Sequence, residues 1–209
     1  GSGKTVTALT IMGLLPASAS VIWGKIRYRE QELTAFPEAA WEKIRGRNIS
    51  MIFQEPMTSL NPVLTVGSQI AEVYYHHLGI SMQEGLLRGA QMLERVKLPD
   101  PKGMLKKYPY ELSGGMRQRV MIAAALACRP EILIADEPTT ALHVTVQSQI
   151  LNLLREIQAE MKLGLIFISH NLGVIAQVCG RVAVMYAAEI VEEGLTGEVF
   201  RRPRHPYTA

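Results

Sequence analysis

Cysteine, net charge and long apolar runs are all scarce in this sequence, and each scarcity excludes a class of protein. The two cysteines, Cys128 and Cys179, stand far apart without metal-type spacing. That excludes a disulfide framework or a cysteine zinc site and fits a reducing compartment, with both thiols read as core residues. The net charge is only +3 over 209 residues, too small and too scattered for an electrostatic nucleic-acid footprint. The one basic cluster, Arg201, Arg202 and Arg204, reads as a solvated tail, so no nucleic-acid partner is expected. No apolar run reaches the roughly 20 residues needed to cross a bilayer, because Arg129 and Pro130 interrupt the longest candidate. Any membrane role is therefore peripheral. The chain begins without methionine inside a motif, and the expectation is a fragment cut at both ends, with a secretory signal left open.

With 48% hydrophobic residues the chain can bury a sizeable core. It is organised around the stretch from Tyr108 to Leu142, YPYELSGGMRQRVMIAAALACRPEILIADEPTTAL. Ser113 is a good N-cap, and with Gly114 and Gly115 it leaves free backbone N–H groups at a helix N-terminus, which suits an anion. The helix runs to about Cys128, and Ile132 to Ala135 forms a continuous apolar run, the pattern of a strand buried on both faces of a parallel sheet. Asp136 and Glu137 close that strand. Ligands of open α/β sheets bind beyond the carboxyl ends of the strands, so these carboxylates face a site, with Pro138 stopping the strand behind them.

The opening Gly1-Ser2-Gly3-Lys4-Thr5 matches the end of the phosphate-binding loop G-x-x-x-x-G-K-[ST], without its first glycine. In that motif backbone N–H groups wrap the phosphates, Lys4 reaches the β and γ oxygens, and the Thr5 hydroxyl binds magnesium. Alone, the same five letters also suit a glycine-rich turn; beside an apolar strand ending in Asp-Glu, the phosphate loop is the stronger reading. Val6, Leu9, Ile11, Met12, Leu14 and Leu15 continue it as a buried helix ended by Pro16. Val21 to Tyr28 reads as a strand or hairpin around Gly24, with Trp23 and Tyr28 as packing residues. Ile49 to Phe53 is a further strand that ends at Gln54.

Helical spacings occupy Leu64 to Tyr75 and Leu86 to Leu98, and Tyr74, Tyr75, His76 and His77 are expected on the surface, the histidines solvated rather than metal-bound. Val144 to Met161 is an amphipathic helix, and Leu165 to Ile168 a buried strand that ends at Ser169-His170. Arg181 to Tyr186 and Glu189 to Val191 are two more strands, joined at Ala187-Ala188.

Taken together, the phosphate loop, MIFQEPMTSLNPVLTVGSQI (51–70), the Tyr108–Leu142 stretch and the closing RHPYT resemble the ATP-binding cassette ATPases, specifically the subfamily that powers import of oligopeptides, dipeptides or nickel. The resemblance spans essentially the whole chain. It implies an α/β fold, a P-loop NTPase three-layer sandwich with a mainly parallel sheet. The nucleotide-binding core is expected from 1–59 and 111–209, and an inserted helical subdomain that meets the permease from 60–110. The implied reaction is attack of water on the γ-phosphate of ATP. Gly1 to Thr5 would hold the phosphates, Asp136, Thr5 and Gln54 would hold Mg2+, Glu137 would be the general base, and His170 would touch both the γ-phosphate and Glu137. Read without the family, Gln54 is an ordinary strand-end polar residue and His170 a strand-end core histidine.

The resemblance also places Ser113, Gly114 and Gly115 on the ATP of a second cassette, in a head-to-tail dimer of identical or different subunits. Further implied partners are transmembrane permease subunits and, indirectly, a solute-binding protein, at the cytoplasmic face of a prokaryotic membrane. The family's adenine-stacking aromatic and first loop glycine are missing. Two departures stand out: Ala187-Ala188 replaces a glycine-containing turn, and His143 stands where the family has aspartate. The second keeps open a hydrolysis-impaired regulatory cassette, while a soluble cassette outside transport lacks its usual coiled coils or tandem repeats here.

Overall fold

A computed structural model gives the fold of residues 2–54, 59–140 and 142–209, to which every structural statement below refers. In chain order the elements are α1 (Lys4–Ile11), β1 (Arg27–Tyr28), β2 (Gln31–Glu32), α2 (Glu38–Ile44), β3 (Ile49–Ile52), α3 (Val66–Leu78), α4 (Met82–Arg95) and α5 (Pro101–Met104). They continue with α6 (Gly114–Leu126), β4 (Ile132–Asp136), α7 (Val144–Met161), β5 (Gly164–Ile168), α8 (Leu172–Val178), β6 (Arg181–Tyr186), β7 (Glu189–Leu195) and α9 (Thr196–Arg201). The chain forms two compact units, Glu42–Ile166 and Gly1–Trp41 with Phe167–Ala209.

In the unit Glu42–Ile166, β3 and β4 run parallel, with Ile49 opposite Ile132 and Ile52 opposite Ala135. The sheet order is β3-β4-β5. All of β3, Ser50 included, is buried, as is β4 from Leu133 onward, so these strands are covered on both faces rather than one. Helix α6 packs on β3, burying Val120, Ile122, Ala123 and Leu126. It ends at Leu126, two residues short of the expected Cys128. Helix α7 turns Ile150, Leu151, Leu153, Leu154 and Ile157 inward, the spacing its sequence predicts.

Thr65 and Ser81 set the starts of α3 and α4, their hydroxyls accepting from Ser68 N and Glu84 N, both at 3.2 Å. The two helices approach closely at small residues: a Cβ on Gly85 would stand 3.1 Å from Ala71. Tyr74 turns into this interface and is only 4% exposed, so the expectation of a surface tyrosine is corrected; Tyr75, one position on, is the exposed one. His76 is exposed and His77 half-buried, its imidazole held below its usual pKa first by burial, then by His76 and Arg47. Both cysteines are half-buried rather than in the core, and burial pushes the Cys128 thiol up to about 11.

In the other unit α1 is not the buried helix its apolar content predicts. Val6 is 57% exposed, and only Ala8 and Met12, one turn apart on one face, are buried, because the remaining apolar residues are spread around the helix. The strand expected over Val21 to Tyr28 shrinks to Arg27–Tyr28, paired antiparallel with Gln31–Glu32. Gly24 at φ 98° breaks the extended run, and Trp23 is 93% exposed instead of packed, while Tyr28 is buried.

The β6–β7 hairpin places Tyr186 opposite Glu189, leaving Ala187 and Ala188 as a two-residue turn with φ 49° and 67°. Positive φ at both positions is the type I′ geometry, which favours Asn-Gly and strains alanine. The C-terminal segment folds back on this hairpin: Glu192 accepts from the backbone N–H groups of Arg204 (2.9 Å) and His205 (3.2 Å), and the Tyr207 ring lies 4.6 Å from Tyr186. Replacing Ala188→Gly is expected to stabilise the protein by about 1 kcal/mol by relieving the left-handed alanine, raising Tm by about 2–4 °C in a thermal melt.

Candidate functional site

The site begins with the strand register. Because Ile52 pairs with Ala135 in parallel, the residues two positions beyond each, Gln54 and Glu137, leave the sheet side by side. They are bonded: Gln54 Nε2 donates to Glu137 Oε2 at 3.2 Å. An ionised carboxylate only accepts, so the amide must turn its nitrogen toward Glu137. The Thr140 hydroxyl donates to the same oxygen at 2.8 Å.

Glu137 holds φ 46°, a left-handed conformation that a non-glycine residue adopts at a cost and that clusters at functional sites. Pro138 follows with its φ already fixed, and Thr140 N donates to Glu137 O at 3.3 Å, closing a tight turn. Asp136, the last residue of β4, is 1% exposed. Two consecutive acidic residues thus lie in different environments, one inside the sheet end and one on the turn that follows. Glu55 and Pro56, beyond Gln54, and Ala141 lie outside the described residues.

The second cluster is the N-terminus of α6. Its approach is a 3-10 turn, Pro109–Glu111, in which the Glu111 carboxylate accepts from Tyr108 N at 2.7 Å. Arg117 Nε donates to the Pro109 carbonyl at 2.8 Å, and Ser113 Oγ accepts from Met116 N at 3.3 Å, so the predicted N-cap is present. A Cβ on Gly115 would come within 2.7 Å of Val146 Cγ1, which makes glycine a steric requirement there. The backbone N–H groups of Gly114 and Gly115 open a helix of 13 residues, a geometry suited to an anion. Arg119, which the sequence reading passed over, donates to Val96 O at 2.7 Å and to Gln149 Oε1 at 3.4 Å, tying α6 to the end of α4 and to α7.

Ser2 to Thr5 and His170 belong to the other unit; Gly1 lies outside the described residues. Gly3, at φ 90°, precedes α1 in the left-handed region that glycine tolerates, and Lys4 Nζ donates to Ser2 Oγ at 3.0 Å. Thr5 is exposed in the first turn of that helix. His170 is exposed just past β5, between Ser169, whose hydroxyl accepts from Asn171 N at 3.0 Å, and Asn171, which caps α8 by accepting from Val174 N at 3.3 Å. The structure therefore joins Gln54 to Glu137 and sets Ser113–Gly115 beside the start of α7. Thr140 and Arg119 both lie within the Tyr108–Leu142 stretch, but no role was expected of either; the signal for Thr140 was its place at the end of a proline turn opened by Glu137.

Residues 1–140 match the ABC transporter family model. Over its whole length the chain is 53% identical to the glutathione import ATP-binding protein GsiA of Salmonella typhimurium, of which it covers 34%. It is 52% identical to a putative peptide import ATP-binding protein of Brucella melitensis biotype 1, of which it covers 63%. The chain thus spans less than two thirds of the length of these relatives. Among solved structures it resembles the dimeric ATP-binding cassette MJ0796 in a post-hydrolysis state bound to ADP and Pi, at TM-score 0.80 and 26% identity, covering 93% of this chain and 81% of that one.

His143 is the N-cap of α7 and its side chain makes no capping bond. Aspartate is among the best N-caps, and its charge complements the helix dipole. The variant His143→Asp is expected to stabilise the protein by about 0.5–1 kcal/mol in denaturant titration. An unchanged midpoint would show that the substitution leaves the helix uncapped.

Proposed function

Because the chain belongs to the ABC transporter family, we propose that it is the ATP-hydrolysing motor subunit of a membrane importer for oligopeptides or dipeptides, or for nickel. The observation that carries the reading is the Gln54–Glu137 pair at the carboxyl ends of adjacent parallel strands, where a fold of this class binds its ligand. The names of the relatives support the importer class, since they are described as glutathione and peptide import ATP-binding proteins.

In this reading Ser2, Gly3 and Lys4, with Gly1, hold the β- and γ-phosphates of ATP, and Lys4 supplies the positive charge that faces them. Glu137 orients and deprotonates the attacking water, while its bond to Gln54 fixes the carboxylate relative to the sheet. His170 contacts the γ-phosphate and reports its presence. The donors Asp136, Gln54 and Thr5 are all hard oxygen ligands, a donor set whose chemistry fits Mg2+. Bound there, Mg2+ would offset charge on the phosphates.

Ser113, Gly114 and Gly115 bind the nucleotide of a second cassette, and the dimeric state of the related MJ0796 structure supports that arrangement. The segment 60–110 receives the permease. A groove of about 1070 Å³ is lined by apolar Tyr74, Leu78, Met92 and Leu153 and by the ion-paired Arg95 and Glu160, which suits a short amphipathic segment of a membrane protein. No helix among the described residues is long and apolar enough to cross a membrane; in this reading the subunit is peripheral, at the cytoplasmic face. A second reading, a regulatory cassette with weak hydrolysis, is favoured by His143, since an imidazole offers one acceptor nitrogen at most where a carboxylate offers two oxygens.

The variant Glu137→Gln is expected to lose turnover by about 10² to 10⁴-fold while keeping ATP affinity and stabilising the ATP-bound dimer. Lys4→Ala should instead weaken nucleotide binding itself. Retained turnover in the first, or unchanged ATP affinity in the second, would remove the corresponding role. For the regulatory reading, His143→Asp should raise both turnover and ATP-dependent dimerisation, and equal values in the two proteins would dismiss it.

A further inference from the structure

We propose that Thr140 is a positioning residue for hydrolysis: its hydroxyl sets the orientation of the Glu137 carboxylate. The inference rests on the reading of Glu137 as the general base and adds Thr140, which lies within the Tyr108–Leu142 stretch but has no role assigned there. The terminal torsion of a glutamate is broad, so the carboxylate plane is fixed by its partners rather than by an intrinsic rotamer. Two donors meet on one oxygen here, Thr140 Oγ1 at 2.8 Å and Gln54 Nε2 at 3.2 Å. They differ in origin. Gln54 reaches across from a neighbouring strand, whereas Thr140 belongs to the same turn as Glu137, closed by its own N–H on the Glu137 carbonyl at 3.3 Å.

Thr139 is buried at 6% exposure and anchors that turn, and Pro138 restricts it further. The Thr140 hydroxyl therefore approaches the carboxylate from its own turn, through a bond that involves no residue of β3. Threonine is also stiff at χ1, which narrows the positions the hydroxyl can take. A base misplaced by a fraction of an ångström loses rate without losing substrate, so the expected signature is in turnover and not in binding.

The test compares Thr140→Val, nearly isosteric without the hydroxyl, with Thr140→Ser, which keeps it, in the full protein, with Glu137→Gln measured alongside. Steady-state ATP hydrolysis, equilibrium ATP binding and thermal melting are read for each. Thr140→Val should lower kcat by about tenfold with KM, ATP affinity and Tm unchanged, and Thr140→Ser should recover kcat to within about twofold. Wild-type kcat in Thr140→Val, or a Thr140→Ser as slow as Thr140→Val, overturns the proposal. So does a loss of kcat matched by a loss of ATP affinity or Tm, which would mark a merely structural turn residue. If Glu137→Gln is inactive while Thr140→Val is normal, Thr140 alone is dismissed; if Glu137→Gln turns over, the base assignment falls and the positioning role with it.

Discussion

The parallel pairing of β3 with β4 is the constraint on which the rest depends. A parallel ladder brings equivalent strand ends out on the same side, and the register Ile52 to Ala135 decides which side chains meet there. One step of slip would turn either strand end to its other face and separate Gln54 from Glu137. The paired residues are deeply buried: Ile49, Ile52, Leu133, Ile134 and Ala135 are all at most 1% exposed. A site with polar, exposed chemistry is thus located by an apolar ladder that takes no part in it.

The N-terminus of α6 is located by a different means. Its glycines lie against Leu142 and Val146 at the start of α7, so the space available to the backbone is set by an element that follows it by a strand and a turn. Arg117 holds the approach loop through the Pro109 carbonyl, and Arg119 holds the helix body through Val96 and Gln149. The pairs Arg95–Glu160 and Lys97–Glu156 add further links between the end of α4 and α7. Exposed pairs of this kind contribute little each, at about 0–1 kcal/mol. The half-buried Arg119 is the stronger tie, because a cation at a helix C-terminal carbonyl is favoured by the dipole and shielded from water. Loop, helix and arm are in this way fixed to one another rather than independently placed.

Two of the turns that hold non-glycine residues at positive φ differ in what surrounds them. At Glu137 a left-handed backbone reverses the chain at the end of β4 and brings the carboxylate to its two donors, which is strain at a candidate functional residue. At Ala187-Ala188 the same region of backbone space is used twice in a hairpin whose residues do no evident chemistry. The hairpin tolerates it because β6 and β7 pair along their length and the tail is pinned across them by Glu192.

The sequence by itself determined the order and type of the main elements wherever the signal was periodic or capped. Val144 to Met161, the strand ending in Asp136, the Ser113 cap and the hairpin strands were legible from apolar spacing and capping, and the motifs Gly-Ser-Gly-Lys-Thr and Asp-Glu-Pro are where the proposed chemistry is placed. What only tertiary structure decided was which apolar residues lie inside and which polar groups touch. Tyr74 is buried and Tyr75 exposed because α3 packs on α4 along a single face, a choice that hydropathy does not encode when both neighbours are tyrosine. Val6 and Trp23 are exposed because a helix wheel and a glycine break overrode their apolar character. The convergence of Gln54 and Thr140 on Glu137 joins positions distant in sequence with positions in one turn, and it exists only because a parallel register and a left-handed residue bring those groups to the same oxygen.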